Sequence, residues 1–399
     1  MSGGVDSSVA ALLLQRLKKV GATAGASEPQ YDLVGCYIKG WYPPATASLD
    51  CPDLAGGPAS SAGKPQSFYC TWKEDRRDAM RVCAKLGIPF ITVDAEKEYK
   101  KEVVDYMVRE YESGRTPNPD IMCNKNIKFG VFLKKAMEMG ADYIATGHYV
   151  CLRQKFKIQN SKLKTYVLAP ARDLNKDQSY FLWTLTQEQL RHCLFPLGNL
   201  TKLEVRKIAK ENGLATAEKE ESQGVCFIGE FDMEDFLKTR VKAKRGKIET
   251  DKGKIIGEHD GLAFYTIGQR HGFGYGGGKG GPYYVVDKDF KNNRLVVAEK
   301  FEEKNFGKRE VEVDNVNWIG GKAPDLDKTY LARIRYRQPL EECRIRIKNQ
   351  ELRIKNKISS SIRDLKFLIL FKNPQRAVTS GQSLVIYDGE EMLGGGIIR

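Results

Sequence analysis

The sequence predicts an α/β fold with a doubly wound parallel sheet in its N-terminal part, a small α+β region after it, and a C-terminal β-barrel. Up to about residue 150, short apolar runs alternate with segments of helical periodicity. That alternation is typical of parallel strands joined by helices. Beyond about residue 250 the chain consists of short β-rich runs between turn residues, which favours a small barrel.

The composition sets the class of protein. The 399 residues suffice for two or three domains, and 41% hydrophobic with 29% charged residues is ordinary for a globular chain. There is no apolar run of about 18 residues and no leader of basic residues before an apolar stretch. We therefore expect a cytoplasmic protein without a membrane partner. The net charge of +14 favours a polyanionic partner such as nucleic acid.

Cysteine and histidine usage predicts no metal site with certainty. The nine cysteines include no C-x-x-C pair, and their odd number argues against a disulfide scaffold. The four histidines are too dispersed for a zinc motif. Cysteines within apolar or helical patterns are expected to lie in the core: Cys36, Cys83, Cys151 and Cys193.

The predicted elements of the first half follow the chain in order. Apolar residues from Val5 to Val20 recur on one face of a helix. The elements after it are a strand at 32–38, a helix at 73–87, a strand at 89–94, helices at 96–112 and 124–139, and a strand at 142–148. A further helix is predicted at 201–212, because Thr201 and Glu204 form a capping box and Gly213 ends the pattern.

Two segments interrupt these patterns. Residues 40–67 are rich in Gly, Pro, Ala and Ser and indicate an insertion. Residues 345–371 contain "RIKN" twice and interrupt the β-rich tail. No function is predicted for either segment.

The first residues, "MSGGVDSSVA", have the composition of a phosphate-binding turn. Two glycines allow the backbone to approach a ligand closely, and the N–H groups at a helix N-terminus attract anions. The Walker pattern is absent. The turn resembles the pyrophosphate-binding loop (PP-loop) of the ATP pyrophosphatase superfamily, which cleaves ATP between the α and β phosphates. The resemblance implies that ATP is bound by Met1, Ser2, Gly3, Gly4, Val5, Asp6 and Ser7.

The same resemblance implies a second role for the loop and a difference from the superfamily. Asp6 would lie near Mg²⁺ or hold the loop in place. In the superfamily the loop follows a central first strand, which is missing before Met1. Since a central strand is paired on both sides, we expect a weakened sheet and impaired ATP binding.

Two cysteine segments carry further chemistry. In "GRTPNPDIMCNKNIKFG" (114–130), Pro117 and Pro119 stiffen a segment that we expect to be exposed and to present Asp120 and Cys123 before a helix. The helix dipole and nearby lysines there would lower the pKa of the thiol. A second segment, "EESQGVCFIGE" (220–230), places Cys226 in a loop of small and polar residues.

Together the motifs resemble those of the bacterial tRNA-specific 2-thiouridylases. The resemblance covers almost the whole chain apart from the missing strand and the two insertions. The motifs occur in the family's order: "SGGVDSS", "YCTWKED", "GRTPNPDIMCNKNIKFG", "ATGHY", "NKDQSYFLW", "SQGVCFIGE", "YTIGQRHGFG" and "RYRQ". It implies a PP-loop catalytic domain (1–185, adenine nucleotide alpha hydrolase-like), a central tRNA-binding domain (186–281) and a β-barrel domain (282–399).

The resemblance implies an ATP-dependent sulfur transfer to the wobble uridine of tRNA. ATP, with Mg²⁺, would adenylate C2 of the base. Cys226 would carry a persulfide, and Cys123 would act as the partner thiol, with a transient Cys123–Cys226 disulfide. Asp120 would be the general acid/base, with Asn118 and Pro119 against the uracil.

The resemblance also implies the remaining contacts and partners. Ile38 and Gly147 would contact ATP. The tRNA, expected to be of the Lys, Glu or Gln type, would be contacted by Lys176, Asp177, Gln178, Arg335 and Tyr336. Sulfur would come from a cysteine desulfurase or a relay protein.

Three alternatives remain open at this point. Amide-forming members of the superfamily share the loop but need no paired cysteines. Asp120, Cys123 and Cys226 are also a candidate ligand set for an iron–sulfur cluster. Finally, a chain that has lost its ATP site would be a tRNA-binding protein without activity.

Overall fold

The structure is a computed structural model that describes residues 1–20, 31–42, 72–156, 164–220, 233–270, 283–300, 302–348 and 366–399. The chain forms two compact units. The first comprises Met1–Val104 and Pro119–Asp232, and the second comprises Asp105–Asn118 and Met233–Arg399. A short piece of the N-terminal half therefore belongs to the C-terminal unit.

The described part of the first unit alternates strands and helices, as the sequence predicts. Its elements are α1 (Val5–Val20), β1 (Gly35–Lys39), α2 (Trp72–Leu86), β2 (Phe90–Asp94), α3 (Glu96–Tyr99), a π-helix (Lys100–Val104), α5 (Pro119–Met122), a π-helix (Cys123–Phe132), α6 (Leu133–Glu138), β3 (Ile144–Ala145), β4 (Cys151–Phe156), β5 (Lys164–Ala169), a 3₁₀ turn (Ser179–Leu182), α7 (Gln187–Leu190), β6 (Cys193–Leu194) and α8 (Lys202–Glu211). The helix α4 (Asp105–Glu112) belongs to the second unit.

Two separate parallel strand pairs occur in the described part of the first unit. β1 pairs with β2, and β3 pairs with β6, both in parallel register. The predicted strand at 142–148 is shorter in the structure, where only Ile144 and Ala145 are paired. β4 and β5 form an antiparallel hairpin.

The apolar face of α1 explains where this helix packs. Val5, Val9 and Leu12 are buried in one cluster with Leu86 of α2 and Val205 of α8. This contact places α8 in the first unit, although the sequence-based boundary at 185/186 assigned it to the central domain. The predicted capping box is present, since the Thr201 and Glu204 side chains and backbones are reciprocally bonded.

The helix before the third strand begins earlier than the sequence predicts. Backbone angles at Met122 and Leu133 are helical on both sides of the π-helical stretch. The helix is therefore continuous from Pro119 to Glu138, whereas the prediction started it at 124. Proline is favourable at this first position because its missing N–H would have no helical partner there.

The second unit holds a four-stranded sheet and a barrel. Its remaining elements are α9 (Met233–Lys238), β7 (Gly246–Thr250), β8 (Ile255–His259), a 3₁₀ turn (Leu262–Phe264), β9 (Tyr284–Asp289), β10 (Arg294–Ala298), α10 (Glu303–Phe306), β11 (Lys308–Trp318), β12 (Thr329–Arg333), β13 (Glu341–Ile347), β14 (Phe367–Gln375), β15 (Ser383–Asp388) and β16 (Glu391–Ile398). The sheet has the order β8-β7-β10-β9. The barrel has the order β11-β14-β13-β12-β15-β16 and closes by pairing β11 with β16.

Strand pairing revises two boundaries from the sequence. The hairpin β9–β10, predicted at the start of the barrel domain, pairs through β10 with β7 and belongs to the central sheet. The predicted insertion at 345–371 includes the end of β13 and the start of β14, which pair in the barrel: Ile345 pairs with Ile369, and Cys343 with Phe371. Only residues 349–365 of that insertion lie outside the described residues, as do 43–67 of the predicted insertion at 40–67.

Alternating burial fixes the barrel register. In β13, Cys343, Ile345 and Ile347 are buried while the residues between them are exposed. This period of two places the apolar side chains in the barrel interior.

Among the helices that the structure describes, none is both long and apolar enough to cross a membrane.

Candidate nucleotide and cysteine site

The loop before α1 requires glycine at its first position. Gly3 has φ +77°, and a Cβ atom added there would lie 2.3 Å from the carbonyl oxygen of Asp75. Both facts exclude other side chains without backbone movement. The loop therefore lies directly against the first turn of α2.

Serine hydroxyls fix the shape of this loop. The Ser7 hydroxyl accepts a hydrogen bond from the Ser2 N–H at 3.0 Å, and the two hydroxyls are 3.1 Å apart. The Ser7 and Ser8 hydroxyls donate to the carbonyl of Gly4 at 3.2 and 2.8 Å. The loop opens a helix of 16 residues, whose N-terminal N–H groups favour an anion. These features suit the phosphates of ATP.

Asp6 holds the loop to the body of the unit. Its carboxylate accepts hydrogen bonds from the Tyr149 hydroxyl at 2.7 Å and from Lys202 Nζ at 2.7 and 2.9 Å. Lys202 is buried and lies 5.7 Å from the centre of the Tyr149 ring. Of the two roles expected for Asp6, these contacts match the structural one.

The described residues do not fit a resident Mg²⁺ ion. In the part of the chain that the structure describes, no group of three His, Cys, Asp or Glu side chains is arranged to hold a metal ion. Both carboxylate oxygens of Asp6 are within hydrogen-bond distance of an ammonium group, and Mg²⁺ requires oxygen ligands in octahedral geometry. The Asp6 carboxylate is therefore occupied by the Lys202 ammonium and is not a free ligand for Mg²⁺.

Three other residues expected at the nucleotide surround the same loop. A Cβ atom on Gly147 would lie 2.7 Å from the Ser7 nitrogen, so the backbone after β3 packs directly on the loop. The Met1 nitrogen donates to the carbonyl of Cys36 in β1 at 2.6 Å. Ile38, also in β1, is buried. The contact of Ile38 with adenine stays a prediction.

Cys123 is buried, not exposed as the sequence indicated. It is the first residue of the π-helix that follows α5, and none of its surface is accessible. Pro117 and Thr116 before it are buried as well, whereas Asp120 is only partly buried. Most of this segment is therefore buried, and Cys123 lies about one turn after the start of the helix at Pro119.

A buried histidine joins the nucleotide loop to the cysteine helix. His148, next to Gly147, has its Nε2 atom 3.2 Å from Asn124 Oδ1 and its Nδ1 atom 2.7 Å from the Thr146 hydroxyl. Asn124 in turn donates to the carbonyl of Phe181 at 3.3 Å. Burial, reinforced by the positive charge of Lys128, holds the pKa of His148 well below its ordinary value.

These bonds determine the ring orientation and the tautomer of the neutral His148. The Asn124 Oδ1 atom can only accept, so Nε2 of His148 carries the proton, and Nδ1 accepts from the Thr146 hydroxyl. The backbone of Gly147 contacts the loop, and the side chain of His148 contacts the residue after Cys123. One dipeptide therefore connects the two parts of the site.

Cys226 lies outside the described residues, and the described chain before it ends at Glu220, next to the bound Lys219. Lys219 Nζ is 2.8 Å from Asp75 and 2.6 Å from Asp78 of α2. Arg206 of α8 donates to the carbonyl of Lys219 at 3.2 Å. Since Asp75 also contacts Gly3, the segment before Cys226 and the nucleotide loop share one helix as support.

The residues expected to contact tRNA divide into internal and accessible ones. Asp177 is buried, and its carboxylate accepts hydrogen bonds from the backbone of Ala171 and from the N–H and hydroxyl of Ser179. Gln178 accepts a hydrogen bond from the Tyr149 N–H at 3.0 Å. These bonds hold Asp177 and Gln178 within the unit, and contact of Lys176, Asp177 and Gln178 with tRNA stays a prediction.

Arg335 of the second unit also has an internal role. One of its guanidinium nitrogens donates to the carbonyl of Ile267 at 2.7 Å and to the Thr379 hydroxyl at 2.8 Å. It thereby ties the central sheet region to the barrel. Tyr336 is partly buried and its ring lies 5.1 Å from the Arg337 guanidinium. Contact of Arg335 and Tyr336 with tRNA stays a prediction.

The sequence analysis missed the side chains that support the site. Tyr149 and Asn124 lie within quoted motifs but were assigned no role, whereas Lys202 and Lys219 carried no local signal. Lys202 lies almost 200 positions from Asp6, and its helical neighbours alone are an ordinary amphipathic pattern. Only a three-dimensional contact distinguishes it from the many exposed lysines.

Three family models match the chain in succession. The first, described as a tRNA methyl transferase HUP domain, matches residues 58–230. The second, a tRNA methyl transferase PRC-barrel domain, matches residues 234–299. The third, an aminomethyltransferase beta-barrel domain, matches residues 308–359 and 345–398. The two overlapping matches of the third meet at the "RIKN" repeat.

Curated relatives match over the full length of the chain. A tRNA-specific 2-thiouridylase MnmA of Geobacillus thermodenitrificans is 43% identical over 398 residues, covering 100% of this chain and 93% of the relative. The MnmA of Bacillus cytotoxicus is 43% identical with the same coverage. That of Streptococcus thermophilus is 41% identical over 401 residues, again with 100% and 93% covered.

Proposed function

Because the chain belongs to the tRNA-specific 2-thiouridylase family, we propose that it transfers sulfur to C2 of the wobble uridine of tRNA, using ATP to activate the base. The observation that carries this proposal is the connection within one unit of a phosphate-binding loop and a buried cysteine. Gly147 packs on Ser7 of the loop, and His148 bonds Asn124 beside Cys123.

The loop supplies the activation chemistry. A uracil C2 oxygen is a poor leaving group, so it first attacks the α-phosphorus of ATP and pyrophosphate departs. The N–H groups at the start of α1 and the hydroxyls of Ser2 and Ser7 stabilise the departing pyrophosphate. Lys202 keeps Asp6 neutralised, so no free carboxylate repels the phosphates.

The two cysteines supply the sulfur transfer. The terminal sulfur of a Cys226 persulfide attacks C2, and AMP leaves with the former C2 oxygen. The Cys123 thiolate then attacks the Cys226 sulfur, which breaks the S–S bond, leaves the thiocarbonyl on the base and forms a Cys123–Cys226 disulfide. A thiol reductant restores both thiols. Asp120, one turn before Cys123, moves the proton at the base.

The remaining predicted residues define recognition in this proposal. Asn118 and Pro119 contact the uracil, which is turned out of the single-stranded anticodon loop into the site. The tRNA, of the Lys, Glu or Gln type, is contacted through backbone phosphate and base stacking by the predicted residues Lys176, Asp177, Gln178, Arg335 and Tyr336. A cysteine desulfurase or a relay protein loads Cys226.

A reconstituted reaction tests the proposal. Unmodified tRNA is incubated with the full chain, ATP with Mg²⁺, a cysteine desulfurase and cysteine, and the digested nucleosides are analysed by mass spectrometry. We expect 2-thiouridine that depends on ATP and disappears in Cys123→Ser and in Cys226→Ser. Cys151→Ser is the matched control, since its thiol is partly exposed and bonds Asn199.

The same reaction separates the competing functions. Absence of 2-thiouridine from the wild-type chain would overturn the proposal, and a methylated nucleoside formed with a methyl donor would favour the activity in the name of the first family model. Iron that copurifies anaerobically and is lost in Cys226→Ser would replace the persulfide step with an iron–sulfur cluster at Asp120, Cys123 and Cys226.

A further inference from the structure

The chain takes an unusual path before the cysteine helix. It leaves the first unit at Val104, contributes Asp105–Asn118 to the second unit and returns at Pro119. Asp120 and Cys123 follow within five residues of the return. Contacts that restrain residues 114–117 therefore restrain the chain immediately before the helix that carries Asp120 and Cys123.

Lys288 of β9 holds this segment from one side. Its Nζ atom donates to the carbonyl of Gly114 at 2.7 Å and to the carbonyl of Tyr265 at 3.0 Å. Partial burial of the ammonium lowers the pKa of Lys288 to about 8, and the charge of Asp287 opposes part of this shift. Partial burial of a cation costs free energy, and the hydrogen bonds to two backbone carbonyls offset part of that cost.

Phe290 packs against Gly114 on this side of the segment. The Lys288 ammonium lies 5.5 Å from the centre of the Phe290 ring. A Cβ atom on Gly114 would lie 2.1 Å from Cζ of the same ring, and Gly114 has φ +74°. The ring thus packs on Gly114, and the positive φ favours glycine at this position.

The barrel holds the segment from its other end. Gln382, which precedes β15, donates through Nε2 to the carbonyls of Thr116 at 2.8 Å and Pro117 at 3.2 Å. The Thr116 N–H donates to the carbonyl of Ser380 at 2.9 Å. A Cβ atom on Gly381 would lie 2.9 Å from the Thr116 oxygen. Backbone groups of the segment are therefore bound directly by the barrel.

We propose that Lys288 and Gln382 are positioning residues for sulfur transfer, which hold residues 114–117 so that the helix that follows them begins with Asp120 and Cys123 in the reactive arrangement. Neither side chain touches a reacting atom in this account. The two residues lie far from the cysteines in sequence and in different parts of the second unit. The inference rests on the proposed function, because the rate it concerns is the rate of thiolation.

Two variants test the proposal in the full chain. Lys288→Met removes the ammonium while keeping the stem, and Gln382→Leu removes the amide from the opposite end. Lys291→Met in the same hairpin is the matched control, since Lys291 is exposed. Single-turnover thiolation rates and KM values for tRNA and ATP are measured, together with alkylation of Cys123 by iodoacetamide, followed by peptide mass spectrometry.

We expect both variants to lower the single-turnover rate about tenfold or more, because small displacements of reacting groups are costly. KM for tRNA and ATP should stay within about twofold of the control. Alkylation of the buried Cys123 should become several times faster in both variants and not in Lys291→Met. The alkylation result does not depend on thiolation.

The outcomes distinguish the two levels of the account. A wild-type chain without thiolation overturns the proposed function, whereas an active wild type with unchanged rate and alkylation in both variants overturns the positioning role. Melting temperature is measured in parallel. If Lys288→Met unfolds, the thiolation and alkylation rates of Gln382→Leu decide whether the positioning role holds. A variant with a lower melting temperature and an unchanged thiolation rate also contradicts the proposal.

Discussion

Asp6 and Lys202 show how a single ion pair shapes the nucleotide loop. The Lys202 side chain is 11% exposed and that of Asp6 is 34% exposed, with 2.7 Å between Nζ and Oδ1. Removing one partner of such a pair leaves the other charge poorly solvated. We expect Lys202→Met to lower the free energy of unfolding by about 3 kcal/mol, the lower end of the range for buried pairs.

Lys207→Met on the same helix is the matched control. Lys207 is exposed and lies 3.9 Å from Glu211, an i,i+4 pair for which we expect a loss of about 0.5 kcal/mol or less. Urea denaturation measures both variants. An equal loss in the two would show that the Asp6–Lys202 pair contributes no more than a surface pair.

His148 makes stability depend on pH in a defined direction. Its pKa in the folded chain lies well below the ordinary 6.5, so near that pH the unfolded chain takes up a proton that the folded chain does not. The contribution of His148 to stability is complete above about pH 6.5 and falls as the pH decreases, by at most about 1.4 kcal/mol per pH unit. The neutral variant His148→Gln removes this dependence.

Urea unfolding between about pH 5 and pH 8 measures the effect. The difference in stability between the wild type and His148→Gln should be constant at the alkaline end and should shrink below about pH 6.5. Parallel curves over the whole range would contradict a neutral, buried His148.

At the residue scale, the sequence singled out candidate site residues but not the side chains that hold them in place. Gly3, Ser7 and Cys123 were singled out because a glycine pair, a serine before a helical pattern and a cysteine after two prolines are visible in the sequence. The partners Tyr149 and Lys202 come from distant segments, and their contacts with Asp6 depend on tertiary packing. Periodicity carries no information about such contacts.

At the scale of elements, the backbone after β3 acts as the support of the nucleotide loop. A Cβ atom on Gly147 would lie 2.7 Å from the Ser7 nitrogen and 2.8 Å from the Asp6 carbonyl carbon. Backbone atoms on both sides cannot yield as a flexible side chain does. We expect Gly147→Ala to weaken ATP binding by about 1–3 kcal/mol, a factor of about 5 to 150.

Isothermal titration calorimetry with ATP measures this effect. Gly320→Ala is the control, because an added Cβ atom there has no neighbour within 4 Å. Unchanged ATP affinity in Gly147→Ala, with a lowered unfolding midpoint, would show that this contact serves stability alone.

The helix that carries Cys123 shows what periodicity predicts and what it omits. The apolar pattern identified a helix but not its start, because "PDIM" has no clear period and proline is read as a break. The π-helical stretch Cys123–Phe132 was likewise not predictable, since it depends on backbone contacts such as Gly130 close to the Lys125 carbonyl.

At the scale of the whole molecule, the net charge of +14 predicts the salt dependence of tRNA binding. Lysine and arginine side chains that neutralise phosphates release counterions, so affinity falls as salt rises. We expect the affinity for tRNA to fall about tenfold or more between about 50 and 200 mM salt. Filter binding at several salt concentrations measures the slope, and a salt-independent affinity would contradict phosphate contacts as its source.

The class of fold was predictable, but the division of the chain was not. Alternating patterns indicated the parallel strands, and turn-rich β runs indicated the barrel, both confirmed by the strand pairings and the family matches. The hairpin at 284–298 resembles a barrel strand pair in composition, yet β10 pairs with β7. The assignment of 105–118 to the second unit depends on contacts such as Lys288 with Gly114, which no local pattern encodes.

The most direct test of the account is the state of the two cysteines after one turnover. The persulfide-loaded chain reacts once with ATP and tRNA in the absence of reductant, and alkylated peptides are mapped by mass spectrometry. The account predicts a Cys123–Cys226 disulfide in an amount that matches the 2-thiouridine formed. Product formed while both residues remain alkylatable thiols would contradict the proposed transfer.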